Sequence, residues 1–81
     1  MTRATQPEGV VFGRRLRELR EKRGLTQAEL ADAAGLTSVY ISNMETGVAV
    51  PSLTTILRLA TALGCKVSQL VIDFDKIDVI K

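Results

Sequence analysis

The chain has 81 residues, of which 46% are hydrophobic, so its length and composition predict one domain with a single small core. Its net charge is only +2, but seven of the eleven lysines and arginines fall within the first 23 positions. This uneven charge fits either a surface that meets nucleic acid or a solvated helix face, and it does not by itself decide between them.

Several classes of protein are disfavoured by what the sequence lacks. The chain has no histidine and one cysteine, Cys65, which excludes an internal disulfide, fits a reducing cytoplasm and leaves no residue pair suited to nucleophilic catalysis. The acidic cluster of Asp73, Asp75 and Asp78 lacks the glycine turn and the glutamate of a calcium loop, so a solvated tail is the simpler interpretation. No apolar run reaches the roughly 18 residues that a membrane span needs. We therefore expect no enzyme activity, no cofactor, no metal and no membrane partner.

The first predicted helix follows an N-terminal arm, residues 1–7, that we expect to be flexible. Pro7 suits an early helical position, and Gly24 is placed to end the helix. Apolar residues recur between them at helical spacing and form the predicted buried stripe of Phe12, Leu16 and Leu19. Gly9 and Gly13 are each expected to weaken this helix by about 1 kcal/mol relative to alanine.

Two short helices are predicted next, one on each side of a turn. Thr26 and Glu29 have the spacing of a capping box, which starts a second helix that ends near Gly35. Thr37 then caps a third helix over residues 38–45. The inward positions of this third helix are Ile41 and Met44.

The rest of the chain predicts two further helices and a tail. Ser52 caps a fourth helix over residues 53–63, which Gly64 closes, and Ser68 starts a short fifth helix that runs to residue 71 or 72. The predicted inward stripe of the fourth helix is Leu53, Ile56, Leu57, Ala60 and Leu63. Residues 74–81 fit either an added strand or an extended arm. Together these elements predict an all-α fold, a compact five-helix domain over residues 1–81 with a short C-terminal tail at 74–81.

The spacing between the second and third helices is specific. Ala31 provides a small side chain where two helices approach closely, Gly35 permits a sharp turn, and Ile41 packs the third helix back on the second. Residues of these types at these offsets describe two helices that cross at a steep angle. One face of the third helix then projects from the core, and a helix of this size fits the major groove of B-DNA.

The same segment resembles the helix-turn-helix domains of the λ repressor and Cro type, often called the Xre family. The resemblance covers roughly positions 10 to 72, and its most specific part is Thr-Gln-x-Glu-Leu-Ala followed by Ile-Ser-x-x-Glu-x-Gly. The residues that carry it are Leu16 to Arg20, Gly24 to Ala31, Gly35 to Thr37, Tyr40 to Ser42, Glu45, Gly47, Pro51, Leu53, Leu57, Ala60, Leu63 and Gly64. The resemblance implies a λ repressor-like fold that binds double-stranded DNA.

The resemblance assigns base reading to three residues of the third helix, Ser38, Val39 and Asn43. Asn43 is suited to a bidentate pair with adenine, and Val39 is suited to contact with a thymine methyl group. The alternatives are that Ser38 only caps the helix and that Val39 packs on its own helix.

Other residues are expected to contact the DNA backbone. Gln27, at the start of the second helix, would bond a phosphate with help from the helix N-terminus. Thr37 either reaches the backbone or only caps its helix, and Tyr40 either contacts phosphate or belongs partly to the core. The full set of expected backbone contacts is Thr26, Gln27, Thr37, Tyr40, Ser42, Thr46, Arg14 and Arg15.

The resemblance also implies a partly buried ion pair between Arg20 and Glu45 behind the third helix. We expect this pair to be structural and to lock the third helix against the first. Without Glu45, the charge of Arg20 would be poorly solvated, at a cost on the order of a few kcal/mol.

The loop at residues 46–51 departs from the family pattern. Relatives often carry lysine or arginine here to bind phosphate, whereas this chain has Val48, Ala49 and Val50. Phosphate contacts from the loop are therefore expected from backbone N–H groups and from the Thr46 hydroxyl. Either the basic first helix and N-terminal arm compensate, or the intrinsic DNA affinity is modest. Alternatively, the exposed apolar loop belongs to a protein interface.

The C-terminal part carries more apolar residues than so small a domain easily buries. They either complete the core and a frayed tail, or they form a two-fold dimer interface made of Leu70, Val71, Ile72, Phe74, Ile77 and Val79. Such a dimer would place two recognition helices about 34 Å apart, one turn of DNA, and would read a palindrome.

The sequence therefore favours a cytoplasmic, sequence-specific transcriptional regulator, a repressor that binds a palindromic operator as a homodimer through the major groove. The alternative is an antitoxin or other protein-binding module whose apolar loop or C-terminal tail engages a toxin or another regulator. The two functions are compatible on one chain.

Overall fold

The computed structural model describes residues 7–72. Over this range the fold is all-α, as predicted, with helices α1 Pro7–Lys22, α2 Gln27–Ala34, α3 Ser38–Glu45, α4 Leu53–Leu63 and α5 Val67–Leu70. None of these helices has the length and apolarity needed to cross a membrane. Pro7, predicted as the last residue of the flexible arm, is instead the first residue of α1. The predictions for residues 1–6 and for the tail, including Phe74, Ile77 and Val79, lie outside the described residues.

Local signals start and end α2, as the sequence predicted. The Thr26 hydroxyl accepts the backbone N–H of Glu29 at 3.0 Å, and the Glu29 carboxylate accepts the backbone N–H of Thr26 at 2.8 Å. This reciprocal capping box satisfies two donors that the first turn of a helix leaves unpaired. At the other end Gly35 adopts φ 70°, and the Leu36 N–H closes the turn on the Ala31 carbonyl at 2.8 Å.

The turn after α2 leads directly into α3. The Thr37 hydroxyl accepts the backbone N–H of Tyr40 at 3.1 Å, so α3 begins where the sequence predicted. Helices α2 and α3 pack against each other, and Ala31 on α2 and Ile41 on α3 are both buried in the core, as the predicted packing of these helices requires.

A single core lies between the helices, and the predicted stripe of α1 is part of it. The large side chains that are fully buried come from all five helices and are Phe12, Leu16, Leu30, Ile41, Met44, Leu59, Leu63 and Leu70. Burial of so few large apolar groups leaves a domain of this size only moderately stable.

The inward face of α4 differs from the prediction. Leu53 and Leu57 are 70% and 49% exposed, whereas Thr55 and Leu59 are buried in their place. Thr55 tolerates burial because its hydroxyl accepts a hydrogen bond from the Ser52 hydroxyl at 3.0 Å. Because α4 is apolar on more than one side, helical spacing alone did not select the face that meets the core.

The start of α5 is also corrected, from Ser68 to Val67. The Gln69 side-chain oxygen accepts the backbone N–H of Lys66 at 3.0 Å and so holds the first turn of the helix. The helix ends at Leu70, short of the predicted residue 71 or 72.

The prediction that Gly13 only weakens α1 was incomplete. The helix crosses the C-terminal end of α3 at this residue, and Gly13 is buried there. A β-carbon built on Gly13 would lie 2.8 Å from the Glu45 carbonyl oxygen and closer still to that of Met44. Glycine therefore allows α1 to approach the backbone of α3.

Candidate nucleic-acid interface

The third helix presents one face to solvent. Ile41 and Met44 are buried on its inner side, whereas Ser38 is exposed, Val39 is 68% exposed and Asn43 is partly exposed. Val39 and Asn43 are four residues apart, so they lie on the same side of α3, one turn from each other. The three residues predicted to read bases therefore share a surface that the core of the domain does not use.

Two neighbours of this face are less exposed. Tyr40 is partly buried and packs against the core, which agrees with the alternative that it belongs partly to the core. Ser42 is also partly exposed. The Thr37 residue is exposed, and its hydroxyl caps α3, so capping accounts for its presence without any DNA contact.

The N-terminus of α2 carries a second group of predicted contacts. Thr26 is exposed and engaged in the capping box. Gln27 is the first residue of α2, and its Nε2 donates to Oε1 of Glu45 at 3.1 Å. Sequence reasoning missed this link between α2 and the end of α3, because no local spacing relates residues 18 positions apart.

Arg20 and Glu45, the residues expected to pair, meet as a bidentate ion pair. Arg20 Nε lies 2.6 Å from Glu45 Oε2, and Arg20 Nη2 lies 3.0 Å from Glu45 Oε1. A third donor, Nη1, bonds the Leu25 carbonyl at 2.7 Å. The two side chains are only 11% and 4% exposed. The hydrogen bond to Glu45 raises the pKa of Arg20, so this guanidinium stays charged.

The two arginines expected to contact phosphate have different surroundings. Arg14 is exposed on α1. Arg15 is partly buried, and its Nε donates to the Gln69 carbonyl at 2.7 Å, which ties α1 to α5. Its Nη1 also lies 3.4 Å from Glu18. Arg15 therefore has a role inside the domain that the basic pattern of the sequence did not reveal.

The loop after α3 corrects the expectation that its backbone N–H groups contact phosphate. The backbone N–H groups of Val48 and Ala49 donate to the Asn43 carbonyl at 2.9 and 3.0 Å, and that of Thr46 donates to the Ser42 carbonyl at 3.1 Å. These donors are used to close the end of α3, so they are not free for phosphate. The Thr46 hydroxyl likewise donates to the Ser42 and Asn43 carbonyls at 3.1 and 3.2 Å.

The same loop is less apolar at its surface than the sequence suggested. Val48 and Ala49 are partly buried, and Ala49 packs against the core. Only Val50 among the three apolar residues is exposed. The loop is thus mainly a connection that covers the end of α3.

The predicted dimer interface is wrong at Leu70. This side chain is fully buried in the core of its own domain, because α5 packs against α1 and α4, so it is not available to a second copy. Val71 also packs against the core, whereas Ile72 is 56% exposed. The exposed Leu53 and Leu57 of α4 were not predicted as surface, although the excess of apolar residues on that helix was a signal for it.

Comparison with known sequences gives relatives whose names describe regulators. Residues 11–70 match the family described as Helix-turn-helix domain. The immunity repressor protein of Bacillus phage phi105 is 41% identical over 62 residues, which are 76% of this chain and 43% of that repressor. The chain spans less than half of the length of this repressor and of two further curated regulators that it matches.

Two solved structures have the same fold. The restriction-modification controller protein C.AhdI from Aeromonas hydrophila has a TM-score of 0.78 and 45% identity, over 80% of this chain and 98% of that one. The P22 c2 repressor protein in complex with a synthetic operator has a TM-score of 0.68 and 34% identity, over 73% of this chain and 89% of that one. These likenesses confirm the λ repressor-like fold, and the relatives are regulators rather than enzymes, as expected.

Proposed function

The chain belongs to the helix-turn-helix domain family, and from this premise we propose that it is a sequence-specific transcriptional regulator that represses by binding double-stranded DNA. The observation that carries the proposal is the exposed face of α3. Val39, the second residue of α3, is an apolar side chain left 68% exposed on a helix whose other face is buried. A single exposed apolar side chain is not unusual by itself, but Val39 shares this face with Ser38 and Asn43, and in the major groove a thymine methyl group would cover it.

Base readout is assigned to the three residues of this face. Asn43 bonds adenine through its amide, Val39 meets a thymine methyl group, and Ser38 contacts a base edge near the start of α3. Because each base pair presents a distinct pattern in the major groove, these residues determine which sequence is bound.

Backbone contacts position α3 in the groove. Gln27 lies at the N-terminus of α2, where the helix dipole favours a phosphate. Arg14 supplies an exposed positive charge. The remaining contacts are assigned to Thr26, Thr37, Tyr40, Ser42, Thr46 and Arg15, with Arg15 and Thr46 also bonded within the domain.

The repressor acts as a homodimer on a palindromic operator in the cytoplasm. Two exposed leucines of α4, Leu53 and Leu57, support a two-fold contact through that helix, to which the exposed Ile72 after α5 could add, whereas the buried Leu70 could not. These two leucines are one turn apart, so antiparallel α4 helices would bring Leu53 of each copy against Leu57 of the other.

Sedimentation of the full chain tests the dimer. The Leu53→Glu/Leu57→Glu variant is expected to sediment as a monomer at micromolar concentrations at which the natural sequence is dimeric. Ala28→Glu, which adds a charge at an exposed position of α2, is the control and should stay dimeric. A natural sequence that is monomeric at these concentrations contradicts the dimer.

Selection of bound duplexes from a random DNA pool tests the whole proposal. At near-physiological salt the protein should enrich an inverted repeat whose half-sites are about one helical turn apart. Enrichment of no sequence would contradict DNA-directed repression and would favour the antitoxin-like alternative. That alternative has less support from residues 46–51, because Val48 and Ala49 are partly buried.

A further inference from the structure

The carboxylate of Glu45 joins three helices at one point. Glu45 is the last residue of α3, and its side chain is 4% exposed. Its oxygens accept from Nε and Nη2 of Arg20 on α1 at 2.6 and 3.0 Å, and from Nε2 of Gln27 on α2 at 3.1 Å. The ends of α1, α2 and α3 are therefore held together by one carboxylate.

The bond to Glu45 fixes the side chain of Gln27, on which the proposed phosphate contact depends. A glutamine at a helix N-terminus ordinarily samples several rotamers, and a ligand that selects one of them loses binding free energy to the ordering. The nitrogen Nε2 of Gln27 carries two hydrogens. One is directed at Glu45, which leaves the other for an acceptor on the DNA.

The charge of Glu45 is compensated at the same time. A carboxylate near a phosphate would repel it, but the bidentate contact with Arg20 neutralises this charge within the cluster of Arg20, Gln27 and Glu45. Arg20 is itself held by the Leu25 carbonyl at 2.7 Å, so the compensating charge is fixed in place. The cluster therefore offers the DNA a donor and not an anion.

We propose that Glu45 is a positioning residue for DNA binding, which acts through Gln27 by holding its amide, before DNA arrives, in the orientation that donates to a backbone phosphate. This role goes beyond the structural ion pair, and it rests on the proposed function of Gln27 as a phosphate contact. It predicts that the contribution of Gln27 to affinity exists only when Glu45 is present.

A double-mutant cycle on the full chain tests this dependence. Affinities of the natural sequence, Gln27→Ala, Glu45→Ala and the double variant are measured for one enriched duplex at one salt concentration and well below each melting temperature. Gln27→Ala should weaken binding about tenfold in the natural background, the effect of one hydrogen bond to a charged group. In the Glu45→Ala background the same substitution should change affinity less than about twofold.

Ala60→Gly provides a background that is destabilised but distant from the cluster. Ala60 is a buried residue of α4, and this change weakens the helix without touching Gln27 or Glu45. Gln27→Ala should still weaken binding about tenfold there. Loss of the Gln27 effect in this background as well would assign the coupling to general destabilisation and overturn the proposal.

The outcomes separate the phosphate contact of Gln27 from the positioning role of Glu45. If Gln27→Ala leaves affinity unchanged in the natural background, Gln27 is not a phosphate contact and both ideas fail. If it weakens binding equally with and without Glu45, the contact stands and the positioning role is overturned.

A measurement on the DNA-free natural sequence covers the case in which Glu45→Ala does not fold. Nitrogen-15 relaxation of the Gln27 side-chain amide should show motion as restricted as that of the backbone of α2. Fast, large-amplitude motion of this amide would mean that Glu45 does not hold it, and would overturn the proposal.

Discussion

Replacement of Gly13 by alanine is expected to destabilise the domain, although helix propensity alone predicts the opposite. Gly13 lies inside α1, where alanine is favoured over glycine by about 1 kcal/mol. In the folded domain, however, the new methyl group would lie 2.8 Å from the carbonyl oxygen of Glu45 and closer still to that of Met44. Real β-carbons essentially never come within 3.0 Å of such atoms, so α1 and α3 would have to separate.

The magnitude follows from the two opposing effects. Overpacking of a close contact typically costs about 1–3 kcal/mol, and more when the neighbour is backbone that cannot rotate away. Because the neighbours of the new methyl group are backbone oxygens, the cost lies in the upper part of this range or above it, and a net loss of about 1–2 kcal/mol or more remains after the propensity gain of about 1 kcal/mol is subtracted. In a domain of this size that loss lowers the melting temperature by about 5–15 °C.

Thermal unfolding followed by circular dichroism measures this change, and Gly9→Ala is the matched control on the same helix. A β-carbon at Gly9 would lie 3.1 Å from the Gly47 carbonyl oxygen and 3.3 Å from a methyl group of Val50, which are tight but nearly acceptable contacts. The melting temperature of Gly9→Ala should change much less than that of Gly13→Ala. If Gly13→Ala is instead more stable than the natural sequence, the close approach of α1 and α3 is wrong.

Two further predictions concern the charged residues of α1 and α3. Glu45→Ala should lower the free energy of unfolding by about 2–4 kcal/mol, because it leaves the charge of Arg20 poorly solvated. Glu21→Ala, which removes the exposed i,i+4 partner of Arg17, should lower it by about 0.5 kcal/mol or less. Equal losses for the two variants in urea unfolding would contradict the burial of the Arg20–Glu45 pair. Arg14→Ala should weaken binding to all DNA sequences alike and flatten its salt dependence without changing the melting temperature. Arg15→Ala should also lower the melting temperature, because it removes the bond to the Gln69 carbonyl that holds α5. A lower melting temperature for Arg14→Ala but not for Arg15→Ala would refute this distinction.

The helix boundaries near the proposed interface were predictable because the signals are local. Thr26, Thr37 and Ser52 each cap a helix through a bond to a backbone N–H three residues later, and Gly35 ends α2 with a positive φ. Such signals depend on a few consecutive residues, so they can be read before the fold is known. The order and class of the helices followed from them.

The features that the sequence did not predict depend on how the helices pack against each other. The exposure of Leu53 and Leu57 is decided by which side of α4 faces α2 and α5, and both sides of that helix are apolar. The bond from Gln27 to Glu45 and the contact of Gly13 with α3 join residues distant in sequence. The sequence does not show that the Asn43 carbonyl accepts two N–H groups of the loop after α3, so these groups were predicted to contact phosphate.

The central claim is that the exposed face of α3 reads bases, and the binding preference of Asn43→Ala tests it most directly. Affinities of the natural sequence and of Asn43→Ala are compared on the enriched operator and on duplexes in which each half-site base pair is replaced in turn. Asn43→Ala should bind the operator about 1–3 kcal/mol more weakly and lose discrimination at one base pair of each half-site, with preference kept at the others. An unchanged pattern of preference would contradict the assignment of this face to base readout.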